Sequence, residues 1–419
     1  MSDAQTLQGK NVALLAVHGI GQQAPYVTLS ELCKSLHQNA PQGVTLQGPE
    51  PGFAYDARGK RHYARMRFRV LEQGAVAQTL DVFEAYWAPI TEGQVGAIDS
   101  IKFILSQGLQ AAWTALRGQF RRHVFDQEHH YDLGSTWLSL LLAYGVVAAL
   151  LFVVWVPPAY YLGLHALSLG GKLAQGQALG AAWVQSVGQV YASFDSMAAV
   201  MPFVFLLLAV LGRFAAGFIR QFVGDVVVYV NAYSADRFAD ARERIQKRAL
   251  DLAQFICTDD CAYDKMVYAG HSLGSVIVYD TLNRLLLDAL AQGNGRIEHM
   301  VARSRLLTWG SPLDKVAFVF WTAGQKQGLR DLLAQNRQPL ISQPALRRFR
   351  WVNVWNRSDP VSSTLDYFDR PGEQRNPPTD HLAVDNRRQS GGGYLVSHNA
   401  YLRGANALTT QCLWDLVRD

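Results

Sequence analysis

Short continuous apolar runs recur along the chain and predict buried strands. Residues 11–17 form the first run, and residues 266–269, 305–309 and 351–355 form three later ones. Gly, Ser, Asn or Pro residues follow each run closely, as is typical of turns. Unbroken apolar runs are typical of strands that are covered on both faces, as in a parallel sheet.

Helical spacing and strict alternation fill the stretches between these runs. Residues 28–37 predict a helix, with Thr28 as its candidate cap. Residues 63–71 and 76–87 alternate well enough to predict a hairpin around Gln73-Gly74. Further helices are predicted downstream, over residues 225–255, 275–290 and 399–417. Because strands alternate with helices, the chain is predicted to be an α/β protein with a mostly parallel central sheet.

A long apolar insertion separates the first strands from the later ones. Residues 98–120 predict an amphipathic helix, and residues 137–156 carry no charge over about the length that crosses a bilayer. A second uncharged stretch, residues 196–212, is broken by Pro202. We therefore expect two transmembrane helices, forming a membrane hairpin that ends near residue 219. The alternative is a hydrophobic lid over the active site of a soluble lipase.

Arginines flank this insertion on both sides, whereas the loop between its two apolar stretches holds one lysine, Lys172. The positive-inside rule then predicts a cytoplasmic (inner) membrane protein whose folded part faces the cytoplasm. The expected organisation is a core divided into residues 1–95 and 223–419, with the membrane or lid insertion at residues 96–222.

Composition narrows the function classes. Of 419 residues, 49% are hydrophobic and 17% charged, and the formal charge is +5 without a long basic block, so no nucleic-acid partner is expected. The four cysteines suggest no disulfide framework and fit a reducing compartment. Cys257 and Cys261 lack matching histidines, so neither a metal site nor a cofactor is predicted.

The most informative motif is Gly270-His271-Ser272-Leu273-Gly274, which lies between a predicted strand and a predicted helix. That context is the one a nucleophile elbow requires. Gly270 and Gly274 would permit the tight turn, and Ser272 would project from it as a nucleophile. The partner acid and histidine are then expected later in the chain, in that order.

Two acids follow strands beyond this motif. Asp359 lies in a polar turn after the run ending at Trp355 and is the preferred acid; Asp314 is held in reserve. A plain Asp-Pro turn is the alternative role for Asp359. Asp366 and Asp369 are weaker candidates. The preferred base is His398, just before the last predicted helix, with His381 in reserve.

An ester's tetrahedral intermediate needs preorganised N–H donors. Leu273 N–H, directly after the nucleophile, is one candidate. The other is Ile20 N–H in the glycine turn that ends the first strand. Gly19 would let that backbone turn inward, and His18 would orient the loop without acting as the base.

With the serine motif, the acid, the histidine and the glycine turn in this order along the chain, the sequence resembles lipase-like α/β-hydrolases. Residues 17–22 look like the oxyanion strand of that group. Residues 269–280, 308–313 and 359–361 are similar to the elbow, the following strand and the acid segment of intracellular DDHD-type phospholipases A1. The resemblance implies hydrolysis of a glycerophospholipid or neutral acyl ester. It covers well under half the chain, and the apolar insertion departs from it.

The function predicted from the sequence is a membrane-associated serine hydrolase. It would cleave carboxylic esters of lipids with the triad Ser272, Asp359 and His398 through an acyl-enzyme. A thioesterase or acyltransferase with the same triad is the first alternative. A hydrolase-like domain that scaffolds a membrane complex without catalysis is the second.

Overall fold

The computed structural model describes most of the chain on either side of the apolar insertion, and two short segments within it, residues 121–124 and 127–130. The described residues are 10–21, 23–55, 61–92, 121–124, 127–130, 224–230, 236–257, 263–316, 338, 340, 349–359, 361–365, 368, 384–391, 397–404 and 407–419.

The centre of the fold is an eight-stranded sheet. In chain order the described strands are β1 Lys10–Val17, β2 Val44–Tyr55, β3 His62–Glu72, β4 Ala75–Glu84, β5 Arg121–Val124, β6 Gln127–His130, β7 Lys265–His271, β8 Arg305–Trp309, β9 Arg350–Trp355 and β10 Val384–Arg388. The sheet order is β10-β9-β8-β7-β1-β4-β3-β2, and β5 pairs with β6 as a separate ribbon.

Strands β10, β9, β8, β7, β1 and β4 are parallel, and β3 runs antiparallel to both of its neighbours. The chain therefore has the predicted α/β class, with a mixed, mostly parallel sheet. Because β1 lies between β4 and β7, strands from before and after the insertion form one sheet. The carboxyl ends of the parallel strands share one edge, where their loops converge.

Helices cover both faces of this sheet. They are α1 Val27–Gln38, α2 Ala88–Thr91, α3 Gly224–Val230, α4 Asp236–Cys257, α5 Leu273–Gln292, α6 Gly295–Ala302 and α7 Leu408–Arg418, with a 3-10 turn at Ser397–Asn399. Buried side chains of α1 and α7 pack with β1, β4, β7, β8 and β9 in one apolar cluster. Helices α4 and α5 pack against each other and against β1 and β7.

The core explains why β1 is apolar from Val12 to its end. Its six residues from Val12 to Val17 are fully buried, since both faces are covered. The predicted hairpin is confirmed as β3 and β4, and Gln73 and Gly74 both take positive φ in its turn.

Two local predictions are wrong. Thr28 does not cap α1: the cap position is Tyr26, and the Thr28 hydroxyl donates instead to Gln23. The last helix is shorter than predicted, since α7 begins only at Leu408. Over residues 225–255 the structure describes two helices, α3 and α4, with residues 231–235 outside the described ranges.

The predicted amphipathic helix and both predicted membrane spans, residues 98–120, 137–156 and 196–212, lie outside the described residues. Among the helices that the structure does describe, none combines the length and the apolar character needed to cross a membrane.

Candidate active site

Ser272 occupies a sharp turn between β7, which ends at His271, and α5, which begins at Leu273. Its backbone has φ 52° and ψ −128°, a conformation that costs a non-glycine residue on the order of 1–3 kcal/mol. The Ser272 N–H donates to the carbonyl of Trp309 at 3.1 Å. Such strain in an otherwise regular strand–turn–helix is typical of a residue whose side chain must project in one direction.

The glycines around this turn have steric reasons to be glycine. A Cβ on Gly270 would lie 2.5 Å from Ser275 Cα, and one on Gly274 would collide with the carbonyl oxygens of Val17 and His18. A Cβ on Gly19 would lie 2.8 Å from Ser272 Cβ. The turn therefore packs directly against the loop after β1, which places Gly19 beside the serine.

Asp359 and His398 meet after β9, at the same edge of the sheet. His398 Nδ1 donates to Asp359 Oδ2 at 2.9 Å, and the Tyr401 hydroxyl donates to the same oxygen at 2.8 Å. The backbone N–H of Val361 donates to the other oxygen. Burial acts to raise the pKa of Asp359, but the hydrogen bond from His398 and the other donors outweigh it and lower the pKa to about 2. An ionised carboxylate therefore holds the imidazole with its proton on Nδ1.

The other ring nitrogen of His398, Nε2, is buried and makes no hydrogen bond to any residue that the structure describes, Ser272 included. Its ring lies near the serine turn. A Cβ on Gly310 would lie 3.2 Å from His398 Cε1. Gly310 directly follows Trp309, whose carbonyl accepts the hydrogen bond from Ser272 N–H. A basic nitrogen is thus held beside the turn with its lone pair unused.

His18 holds the loop after β1. Its Nε2 accepts from the backbone N–H of Trp87 at 3.1 Å, so its proton lies on Nδ1, which donates to the Gly19 carbonyl at 2.8 Å. Its ring stacks on the Trp87 indole. Burial lowers the pKa of His18 to about 4, so the ring is neutral near pH 7. Both nitrogens are engaged, so His18 orients the loop and has no free nitrogen for base chemistry.

The same loop has a second anchor. The Gly21 N–H donates to Asp225 Oδ2 at 2.7 Å, and Asp225 belongs to α3, after the insertion. That N–H is therefore not available to a substrate. Leu273 is the first residue of α5, so its N–H has no acceptor within the helix. Ile20 and Leu273 are left as the candidate oxyanion donors.

The reserve acid Asp314 does not pair with the site histidine. Asp314 is bound by the Ser363 hydroxyl and by the backbone N–H of Lys315. Burial raises its pKa. His398 bonds Asp359 and not Asp314. His381 lies outside the described residues.

Two supporting side chains were missed in the sequence. Tyr401 bonds Asp359 and the Ser362 hydroxyl, and His271 Nε2 donates to the carbonyl of His398 at 3.0 Å. The sequence indicated these two residues only by their closeness along the chain to predicted site residues: His271 precedes Ser272, and Tyr401 follows His398 by three residues. Their roles depend on contacts between distant strands, which no local pattern encodes.

Within the described ranges no group of three potential ligands could hold a metal ion, and Cys33, Cys257 and Cys412 are buried and form no disulfide there. Comparison with protein-family models, curated proteins and solved structures found no match for the chain.

A pH dependence of stability follows from Glu84, at the end of β4. Its Oε2 accepts from Tyr26 N–H at the start of α1, and burial raises its pKa from 4.5 to about 7. The folded state binds this proton more tightly, so stability should fall as pH rises from about 4.5 to about 7, by on the order of 1–3 kcal/mol. Glu84→Gln should remove this loss in denaturant midpoints measured from pH 5 to pH 8. The exposed Glu92→Gln control should keep it, and an unchanged profile in Glu84→Gln would contradict the assignment.

Proposed function

We propose that the protein is an α/β-hydrolase that cleaves carboxylic esters of lipids with Ser272 as nucleophile, His398 as general base and Asp359 as the orienting acid. The observation that carries this proposal is the strained Ser272 turn, which lies between the Gly19 loop and the Asp359–His398 pair. A serine forced into a positive-φ turn at the start of a helix has no structural advantage over glycine there.

In the proposed reaction the Ser272 hydroxyl attacks the ester carbonyl and transfers its proton to His398 Nε2. The Asp359 carboxylate stabilises the resulting imidazolium through Nδ1. The N–H groups of Leu273 and Ile20 stabilise the oxyanion. His398 then protonates the leaving alcohol, and water hydrolyses the acyl-enzyme by the same steps in reverse order. The neutral rings of His18 and His271 do not compete for the proton, since burial lowers the pKa of each, to about 4 and about 3.

A lipid substrate is proposed because of the apolar insertion. An enzyme held at a bilayer meets acyl esters without transferring them through bulk water, which would cost about 25 cal/mol per Å² of apolar surface. The test is covalent labelling of the full chain by a fluorophosphonate probe, followed by hydrolysis assays with a glycerolipid ester and a matched acyl thioester. Labelling that is absent in Ser272→Ala supports the proposal. A stronger preference for the thioester would support the thioesterase alternative.

Asp225 provides a prediction about the oxyanion loop. Asp225→Ala removes the acceptor of Gly21 N–H, and we expect kcat to fall about 10–100-fold with KM nearly unchanged, because a misplaced oxyanion donor weakens the transition state more than the ground state. Asp225→Asn keeps an oxygen acceptor and should restore most of the rate. A change in KM alone, or equal loss in both variants per folded molecule, would contradict this role.

Membrane attachment is a separate proposal, for residues 137–219. Two uncharged stretches flanked by arginines should anchor the chain as a hairpin, with the catalytic part in the cytoplasm. Membranes washed with alkaline carbonate should retain the protein, and protease added outside intact cells should spare the catalytic part. Release into the supernatant would favour the soluble lid instead.

A further inference from the structure

A cavity of about 250 Å³ lies at the edge of the sheet opposite Ser272. It is formed where parallel strands begin: Lys10 opens β1, Lys265 opens β7, Arg305 opens β8 and Arg350 opens β9. Because the serine, the loop after β1 and Asp359 all lie at the carboxyl ends of these strands, this cavity is separate from the candidate active site.

The lining is strongly cationic. It contains five Lys and Arg side chains against two side-chain carboxylates, those of Asp264 and Asp419, so the net charge of the lining side chains is +3. Like charges that approach each other in a small concave space raise the free energy of the folded state unless a counter-charge is present. The cavity therefore favours anions over neutral ligands.

Two of the arginines are direct neighbours in the sheet. Arg305 and Arg350 are paired positions of the parallel strands β8 and β9, an arrangement that repels. The Asp419 carboxylate is shared between them, at 3.3 Å from Arg305 Nε and 3.6 Å from Arg350 Nη1. Arg305 Nη1 also donates to the carbonyls of Arg303 and Ser304, and Arg350 Nη2 lies 3.7 Å from Asp385 Oδ2. The carboxylates therefore pair with these two guanidinium groups only at 3.3 Å or more, and their positive charge is only partly offset.

The buried lysine of the cavity uses only part of its hydrogen-bonding capacity. Lys265 is 9% exposed, and its Nζ donates to the carbonyl of Val417 at 2.7 Å, which uses one of its three N–H groups. Burial and the neighbouring Arg305 lower the pKa of Lys265 to about 8. Lys10 and Arg303 make no side-chain ion pair with any described residue. The five cationic side chains of the cavity therefore have more N–H donors than the two lining carboxylates can accept from.

We propose that this cavity is a binding site for a phosphate monoester or pyrophosphate group. Guanidinium forks match phosphate oxygens in geometry, and a dianion offsets most of the +3 charge where a carboxylate would offset one unit. The volume is several times the roughly 30 Å³ that one water occupies in the liquid, so it admits a phosphate with part of the group it is esterified to. The proposal is independent of the hydrolase reaction.

The test is calorimetric titration of the full chain, purified in neutral detergent, with inorganic pyrophosphate. The double variant Lys10→Gln/Arg303→Gln removes the two cations that have no ion-pair partner, so the fold should be preserved. We expect it to weaken binding at least 10-fold. The matched control, Lys34→Gln/Lys247→Gln, removes two exposed helix cations away from the cavity and should bind like the wild type. Ester hydrolysis without added anion should be the same in all three proteins.

A second arm identifies the source of the phosphate, using an ether-linked phosphatidic acid, which contains no carboxylic ester to hydrolyse. Binding of this lipid in mixed micelles, lost in the double variant and displaced by pyrophosphate, supports a lipid headgroup as ligand. Binding of pyrophosphate without binding of the lipid supports a soluble phosphate ester. No pyrophosphate binding at millimolar concentration, or equal binding in the double variant and the wild type, overturns the proposal.

Discussion

Ser272→Ala is expected to abolish ester hydrolysis, lowering kcat by about 10⁶-fold, and to abolish fluorophosphonate labelling. The magnitude follows from removing the nucleophile of a triad, after which only binding and oxyanion stabilisation contribute. The measurement is fatty-acid release from a glycerolipid ester under single-turnover conditions. Turnover by Ser272→Ala at the wild-type rate would refute the assignment.

Two measurements separate this result from unfolding. Among the described residues none forms a hydrogen bond with the Ser272 hydroxyl, so Ser272→Ala should unfold at nearly the wild-type temperature. Ser272→Gly should be equally inactive but more stable, by on the order of 1 kcal/mol, because glycine adopts φ 52° without strain. A loss of stability in Ser272→Gly would indicate that the serine has a structural role.

The second large effect is expected for Asp359. Asp359→Asn should lower kcat by about 10⁴-fold, because an amide in place of the carboxylate favours the wrong tautomer of His398 and no longer stabilises its protonated form. The low pKa of Asp359, about 2, means that the wild-type carboxylate is ionised throughout the pH range from 5 to 9, so the substitution removes its charge at every pH in that range. The rate should therefore stay low at every pH from 5 to 9.

Asp314→Asn is the matched control, since Asp314 is the other buried acid that follows a strand. It bonds Ser363 and Lys315 and not the histidine, so its replacement should change kcat by less than about 10-fold per folded molecule. If Asp314→Asn caused the larger loss of kcat, the two acids would have to exchange roles.

The sequence predicted those parts of the molecule that depend on neighbouring residues. An unbroken apolar run specifies a strand buried on both faces, and a glycine-flanked serine between a strand and a helix specifies a sharp turn. These patterns gave the α/β class, the β3–β4 hairpin, the strands β1, β7, β8 and β9 and the position of Ser272. The predicted helix ends were less accurate. The start of α1 at Tyr26, for example, is bound by the Glu84 side chain, which belongs to the distant strand β4.

The tertiary structure decided which distant residues meet. Asp314 and Asp359 both follow a buried strand, and the sequence alone ranked Asp359 first by the count of strands after the serine motif. What distinguishes them is the placement of β9 beside β8, which brings Asp359 to His398 and leaves Asp314 bound by Ser363 and Lys315. The anchoring of Gly21 by Asp225 joins residues on opposite sides of the insertion. The cationic cavity likewise exists only because several strands begin at one edge, a consequence of parallel pairing that no local pattern records.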